Sequence, residues 1–404
     1  MLFYILALGS GVFRTFSVGF DFISLSLTTI DPIVYGFMSQ WISFLCVLTL
    51  LLVLSLPKKL DEKSLALGYR LDPDFGRIGV IPKKPMLYVL GAGFFAGIAT
   101  TTYYFMIGFT DASSVLPYGQ LVIVYLLIGD LFAEKDTPTI IEVQSITSIL
   151  IGVLLLGVKP GGFDLFTLAL VLIPMNISSG FVTYFQRKAK RYEIRPGLRV
   201  DSLNIRLWSL LALNIVYSLF AYILTPIENW AQLFTGFLPL FWFMVGSSVA
   251  TFLSLVFYVR ALGRGSMSVV NSLSSISVVL GLPLTLIGNL FLPGAFSGIS
   301  GDAFIWMIRI FGVLLVMIGI VALQAADVRS IVTIRVKKQT GDILPQLFDI
   351  KGVESAAAIA GTFDYILSIK SRSLGKTRSN ILNRIQVIPE VSDVKTMIIL
   401  RDFR

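Results

Sequence analysis

AFIWMIRIFGVLLVMIGIVALQA, residues 303–325, holds one ionisable side chain, Arg309, among 23 positions. As a helix rising 1.5 Å per residue, such a stretch is long enough to cross about 30 Å of hydrocarbon. Directly after it the chain changes character. From residue 327 onward charges recur every few positions, and no apolar run is long enough to span. Upstream, stretches of the same kind recur. We read further spans at roughly 2–26, 32–56, 86–109, 112–132, 139–158, 164–186, 203–225, 238–260 and 266–291. Over the whole 404 residues, 55% are hydrophobic and 14% charged, whereas soluble domains carry about 25% charged residues. The expected fold is a polytopic, all-α membrane bundle of ten helices followed by a small soluble domain.

The composition excludes several chemistries. The chain has no His, which removes a Ser/His/Asp triad, the usual proton relay and the commonest metal ligand. The single cysteine, Cys46, lies in an apolar run and reads as a small packed hydrophobe. Disulfides and cysteine-rich metal sites are therefore not expected. No GxxxxGK[ST] loop is present. The expectation is a protein that is not an enzyme and needs no cofactor or metal. The N-terminus has no basic segment before its apolar run, so it reads as a first span and not as a cleaved signal.

Charge placement sets orientation. With the N-terminus inside, inner loops hold seventeen Lys and Arg residues, Arg206 among them, and outer loops hold only Lys159. That asymmetry follows the positive-inside rule and places both termini on the cytoplasmic side of the plasma membrane. The net charge of +9 thus reads as loop charge and not as a nucleic-acid footprint. The body also repeats itself. FTDASSVLP (109–117) parallels LGRGSMSVV (262–270), and IGVLLLG (151–157) parallels FGVLLVMIG (311–319). Residues 1–158 and 164–326 then form two five-helix repeats. Five is odd, so the halves insert with opposite orientation, and a substrate site is expected between them near the midplane.

Ionisable groups in hydrocarbon cost about 2.5–3.5 kcal/mol each on insertion scales and invite a functional reading. Arg14 and Asp21 stand seven residues apart, nearly two full turns, and so share one helix face about 10 Å apart along the axis. They either line a cavity, Arg14 attracting an anionic group such as a carboxylate, or pair and snorkel structurally. Arg309, near the outer end of the last span, either joins the path or reaches the interface. Without His, a carboxylate must carry any coupled proton, and Asp21 and Asp130 are the two available. Asp130 and Glu134 sit four residues apart near an inner interface, where contact with Lys135 and water is the plainer reading. Tyr103, Tyr104, Gln120, Asn176 and Asn271 lie within spans, to bind a polar solute or to join helices. Pro117, Pro174 and Pro283 suit kinked helices whose freed carbonyls face a cavity. Gly93 and Gly97 read as a close-packing pair.

Residues 1–326 resemble the EamA-like permeases of the drug/metabolite transporter superfamily, which have ten helices in two five-helix repeats. DASSVLP (111–117), LFAEKDTP (131–138) and IGVLLLG (151–157), in that order, carry the likeness. The resemblance implies a secondary transporter of small polar metabolites. The second half departs from the pattern: LIGNLFLPG offers Asn289 where an acid is common, so Glu134 reads as a structural cap.

The segment 327–404 reads strand (330–336), helix (341–350), strand (353–361), strand (364–371), helix (373–388), strand (391–400), the α+β, ferredoxin-like βαββαβ order. VESAAAIAGTFDYILSI (353–369) and IPEVSDVKTMIIL (388–400) make it similar to the ligand-binding domain of the Lrp/AsnC family. That likeness implies pairing through sheets into a homodimer and binding of an amino acid or similar ligand, with Gly361 and Asp364 at the hairpin motif. The competing reading of these two residues is turn chemistry, a positive φ at Gly361 and a cap at Asp364. No DNA-reading helices accompany the domain. The function expected is a transporter, an exporter of polar solutes such as amino acids, regulated by a cytoplasmic sensor; the alternative is a membrane-anchored sensor without transport.

Overall fold

The computed structural model describes residues 2–60, 63–108, 118–132, 140–156, 165–196, 198–291, 303–325, 328–337, 343–348, 350, 353–371 and 383–398. The small-residue entry at 111–117, Glu134, Lys135, Lys159, the loop 292–302 and segment 373–382 lie outside them. The chain divides into two compact units, one of residues 1–138 and 144–320, the other of 321–404 with 139–143.

The first unit is mostly helical. Helix α1 is Leu2–Leu27 and α2 is Pro32–Leu54; the hairpin β1 (Pro57–Leu60) and β2 (Lys63–Ala66) follows. Then come α3 (Lys83–Ile107), α4 (Val122–Phe132), α5 (Ile140–Leu156), α6 (Leu165–Leu170) and α7 (Ser178–Arg191). A short pair, β3 (Glu193–Arg195) and β4 (Leu198–Arg199), leads to α8 (Ser202–Leu224), α9 (Gln232–Leu262), α10 (Met267–Ser274), α11 (Ile276–Phe291) and α12 (Ala303–Ala325).

Local chemistry explains the breaks. Asp31 caps α2, accepting the N–H groups of Ile33 at 2.8 Å and Val34 at 3.3 Å, with Pro32 at the first helical position. Between α6 and α7 the helix widens into a π-turn over Val171–Ile177 around Pro174, which has no N–H for the ladder. The resulting helix runs to Arg191, five residues past the end expected near 186.

Among the described residues six helices are long and apolar enough to cross a membrane: Leu2–Leu27, Pro32–Leu54, Lys83–Ile107, Ser202–Leu224, Ile227–Leu262 and Met267–Leu290. Three shorter apolar helices are Tyr118–Asp130, Val143–Leu155 and Met307–Ala322. Large apolar side chains such as Leu219, Phe234, Leu238 and Trp242 point outward, at 60–88% exposure. That is the arrangement of a body whose outer solvent is lipid.

Helix α1 packs along α9, and α3 packs along both α8 and α7; α2 packs against α9, and α4 meets α10 and α7. The approaches are close. A Cβ at Gly93 would stand 2.5 Å from the Ser209 carbonyl oxygen, and one at Gly152 would stand 2.5 Å from the Gly312 carbonyl oxygen.

Apart from the helix ends 140–143 and 321–325, the second unit is a small β-sheet domain. Its strands are β5 (Val328–Val336), β6 (Val353–Ala358), β7 (Tyr365–Ser371) and β8 (Val391–Ile398), with helices α13 (Leu344–Phe348) and α14 (Asn383–Gln386). The sheet order is β6-β7-β5-β8, all neighbours antiparallel. Val332, Ile334, Leu367 and Ile369 face a core closed by Leu347 and Ile385. The opposite sheet face sets Ile331 against Met397 and Ala357 against Ile366.

Candidate functional site

Within the helical unit lies a cavity of about 280 Å³. Helix α1 supplies Ser10, Arg14, Ser17 and Asp21, spaced four, three and four residues apart so that they fall on one face. Helix α9 answers with Ser247, Thr251, Ser254 and Tyr258 at the same spacing. Ser43 of α2, Tyr103 and Tyr104 of α3, Thr183 and Gln186 of α7, Arg206 and Ser209 of α8, and Asn271 of α10 complete the polar wall.

Asp21 is 4% exposed. Its Oδ1 accepts hydrogen bonds from the Tyr35 hydroxyl at 3.0 Å and the Ser247 hydroxyl at 3.0 Å, while Oδ2 accepts a long one from Tyr103 at 3.4 Å, and the Tyr104 hydroxyl also donates to the carboxylate. Every one of these donors is neutral. Arg14 is partly accessible to the cavity, and among the described residues it has no hydrogen-bond or carboxylate partner. One guanidinium nitrogen lies 3.0 Å from the point where a Cβ on Gly119 would stand. Tyr103 and Tyr258 are within electrostatic range of it. The two charges expected on one face of the first helix therefore share a cavity without forming an ion pair.

The other expected groups separate. Tyr103, Tyr104 and Asn271 line the cavity. Gln120 lies just behind the wall, its Oε1 accepting from Asn271 Nδ2 at 3.1 Å and Ser275 Oγ at 3.1 Å. Asn176 is fully buried and donates to the carbonyls of Val171 at 2.7 Å and Tyr118 at 3.0 Å. It serves the backbone opened by the π-turn. Arg309 is 5% exposed and stands outside the lining.

Two placements differ from expectation. Asp130 is 2% exposed and meets Arg187 at 2.7 Å, a buried position and not the interfacial one expected; Lys135 lies outside the described residues. Its carboxylate also accepts the N–H groups of Met267 and Ser268 at the start of α10. Arg206 belongs to α8 and not to a loop; it is 5% exposed, lines the cavity, and has no hydrogen-bond partner at Nε among the described residues. Arg206 lies inside the span read at 203–225 and is passed over only when it is counted with the loop charges; the hydroxyl stripe of α9 escapes a search restricted to charges inside spans. The four-three-four spacing of small hydroxyls is the signal that reveals the stripe.

Polar ties flank the bundle at opposite ends of α9. At its start, Gln232 Oε1 accepts the Asp31 N–H at 2.7 Å. At its other end Arg260 donates to the Leu71 carbonyl, and nearby Lys190 Nζ lies 2.8 Å from both Asp72 and Asp74. Burial alone would raise the Asp72 pKa, but the Lys190 ammonium and the Ser202 N–H outweigh it and hold the carboxyl below its ordinary value. Asp201, the α8 cap, is pushed up to about 6 by burial.

In the β-sheet domain Asp364 Oδ2 accepts the Val336 N–H at 2.8 Å, tying the β6–β7 hairpin to the end of β5. Gly361 is exposed; a Cβ there would meet nothing within 4 Å, and its φ lies outside the left-handed range. The positive φ expected for Gly361 is corrected: this bend closes without it.

Residues 329–404 match the family model of the Lrp/AsnC ligand binding domain, and this part of the chain is such a domain. No curated protein matches the chain. A protein of known crystal structure is similar to it with a TM-score of 0.50 at 14% identity, over 78% of this chain and 97% of the other. That likeness concerns the fold alone.

Proposed function

We propose that the chain is a secondary transporter, working as an exporter of small polar metabolites such as amino acids, regulated by its C-terminal ligand-binding domain. The observation that carries this reading is the cavity, in which Arg14 and Asp21 stand among hydroxyls without pairing with each other. A purely anchoring bundle has no use for an unmatched cation between its helices, because such a charge is costly there.

In this reading the body spans the plasma membrane ten times as two inverted five-helix repeats, with both termini cytoplasmic. The packing supports it. Exchanging the halves turns the α1–α9 contact into the α3–α7 contact, and α2–α9 into α3–α8. Gly152 and Gly312, equivalent positions in the two halves, meet each other, as residues beside a two-fold axis do. The charge cluster of Lys190, Asp72 and Asp74 then closes the cytoplasmic side.

The ligand-binding domain senses an amino acid or similar solute and joins two copies into a homodimer through the sheet face of Ile331, Ile366 and Met397. Ligand shifts flux only if it prefers one transporter conformation. That same domain also favours the second reading, a membrane-anchored sensor without transport. Solute movement in vesicles holding the full-length protein separates the two: a carrier moves solute, and an anchor moves none.

A further inference from the structure

We infer that the cavity takes a zwitterionic solute of amino-acid type, its carboxylate on Arg14 and its ammonium on the Asp21 side. This rests on the transporter reading and narrows it to a charge pattern.

Three observations carry it. First, the cavity wall holds two cations, Arg14 and Arg206, and one carboxylate, Asp21, and among the described residues no ion pair joins any of them. Elsewhere in the same unit two buried cations are matched, Arg187 with Asp130 and Lys190 with Asp72, while Arg309, outside the cavity, is buried with an unpartnered Nε among the described residues. What sets the cavity apart is that two unpaired cations and a carboxylate line one space. Second, Arg206 is 5% exposed with an unpartnered Nε, and Gln186 Oε1 beside the cavity also lacks a partner among the described residues. Buried polar atoms are ordinarily satisfied, so these point to a polar occupant. Third, Asp21 is surrounded by neutral hydroxyls alone: Tyr35 and Ser247 at 3.0 Å, Tyr103 at 3.4 Å, and Tyr104 beside them. A cationic donor is lacking among the described residues, and charge-assisted bonds are the stronger kind. A planar guanidinium suits a carboxylate in bidentate fashion. A neutral solute would leave all three charges unmet; an amine without a carboxylate would leave both arginines unmet.

The test is thermal unfolding of the purified full-length protein with three matched mixtures: the neutral L-amino acids, their methyl esters, and their N-acetyl derivatives. The free amino acids are expected to raise the melting temperature, and neither derivative set to do so. Because the ligand-binding domain is itself proposed to take an amino acid, the inference is read from the part of the shift that depends on the cavity. Arg14→Gln should lose that part, Arg14→Lys should keep some of it, and Arg195→Gln, an exposed arginine outside the cavity, should leave the shift unchanged. Esters that stabilise as well as free amino acids, a shift of the same size in Arg14→Gln as in the unaltered protein, or no shift with any mixture would each overturn the inference. The comparison of mixtures on the unaltered protein stands even if Arg14→Gln does not fold. Binding with the expected pattern but no flux in vesicles would remove the transporter reading and leave the site. Flux of a solute without a carboxylate, indifferent to Arg14, would do the reverse.

Discussion

Arg187 Nη1 stands 2.7 Å from Asp130 Oδ1, with both side chains almost wholly buried. The same carboxylate accepts the Met267 N–H at 3.0 Å and the Ser268 N–H at 2.7 Å. An acid at a helix N-terminus is stabilised by the unpaired N–H groups and the dipole there. Asp130 therefore joins α4, α7 and the start of α10 at one point. Breaking a buried pair on one side costs about 3–5 kcal/mol, because the remaining charge stays buried. Asp130→Asn should destabilise by that order, and Asp130→Asn with Arg187→Met should recover part of the loss. Denaturant unfolding of the detergent-solubilised variants measures the coupling. Simple additivity would contradict a direct pair.

The same geometry divides the two carboxylates considered for proton coupling. Asp21 lines the cavity, and Asp130 is occupied outside it. If flux depends on pH, Asp21→Asn should flatten that dependence while Asp130→Asn, where it folds, should preserve it. The readout is initial rate against pH in vesicles; the opposite pattern would move the proton carrier to Asp130.

Asp201 and Asp72 give stability of opposite pH sense. Asp72 is held below its ordinary value, so its contribution is full above the unfolded pKa and is lost as pH falls through the lower folded one. Asp201, at about 6 against 3.8, binds a proton more readily folded than unfolded. Stability therefore falls as pH rises from about 4 to about 6 on its account. Asn caps a helix as well as Asp does, so Asp201→Asn should be more favourable at pH 7.5 than at pH 4.5, relative to the unaltered protein. Melting temperatures at the two pH values decide it, and a pH-independent difference would refute the assignment.

In the ligand-binding domain, Gly361 has open space about its Cβ position and needs no left-handed backbone. Gly361→Ala should therefore be neutral or stabilising, by about 0.4–1 kcal/mol through the unfolded chain. Asp364→Ala removes the acceptor of the Val336 N–H and should cost about 1–3 kcal/mol if that donor is left unsatisfied. Melting curves of the full chain compare them. A larger loss at Gly361 than at Asp364 would reverse these two structural roles.

Much of this was legible in the sequence, for definable reasons. Apolar runs of span length found the helices because hydrocarbon permits little else. The seven-residue spacing of Arg14 and Asp21 found one wall of the cavity, since helix periodicity alone sets their common face. Strand alternation found the four-stranded domain. What was hidden depended on partners distant in sequence. Nothing local distinguishes Asp130 as an ion-pair member from an interfacial acid; Arg187 lies 57 positions away. Asn176 resembled a solute ligand because its task, serving carbonyls freed by the π-turn, exists only once that turn forms. Arg206 stood inside the span read at 203–225, but only four residues past the start of α8 at Ser202, where a cation reads equally well as loop charge; its place in the cavity depends on helices distant in sequence.

Counterflow in vesicles containing the full-length protein probes transport itself. Vesicles are preloaded with unlabelled neutral L-amino acids and diluted into the labelled mixture. Transient accumulation of label is expected, lost in Arg14→Gln and retained in Gly361→Ala. Equal label in protein-containing and protein-free vesicles, from a folded preparation, would contradict a carrier and leave a membrane-anchored sensor.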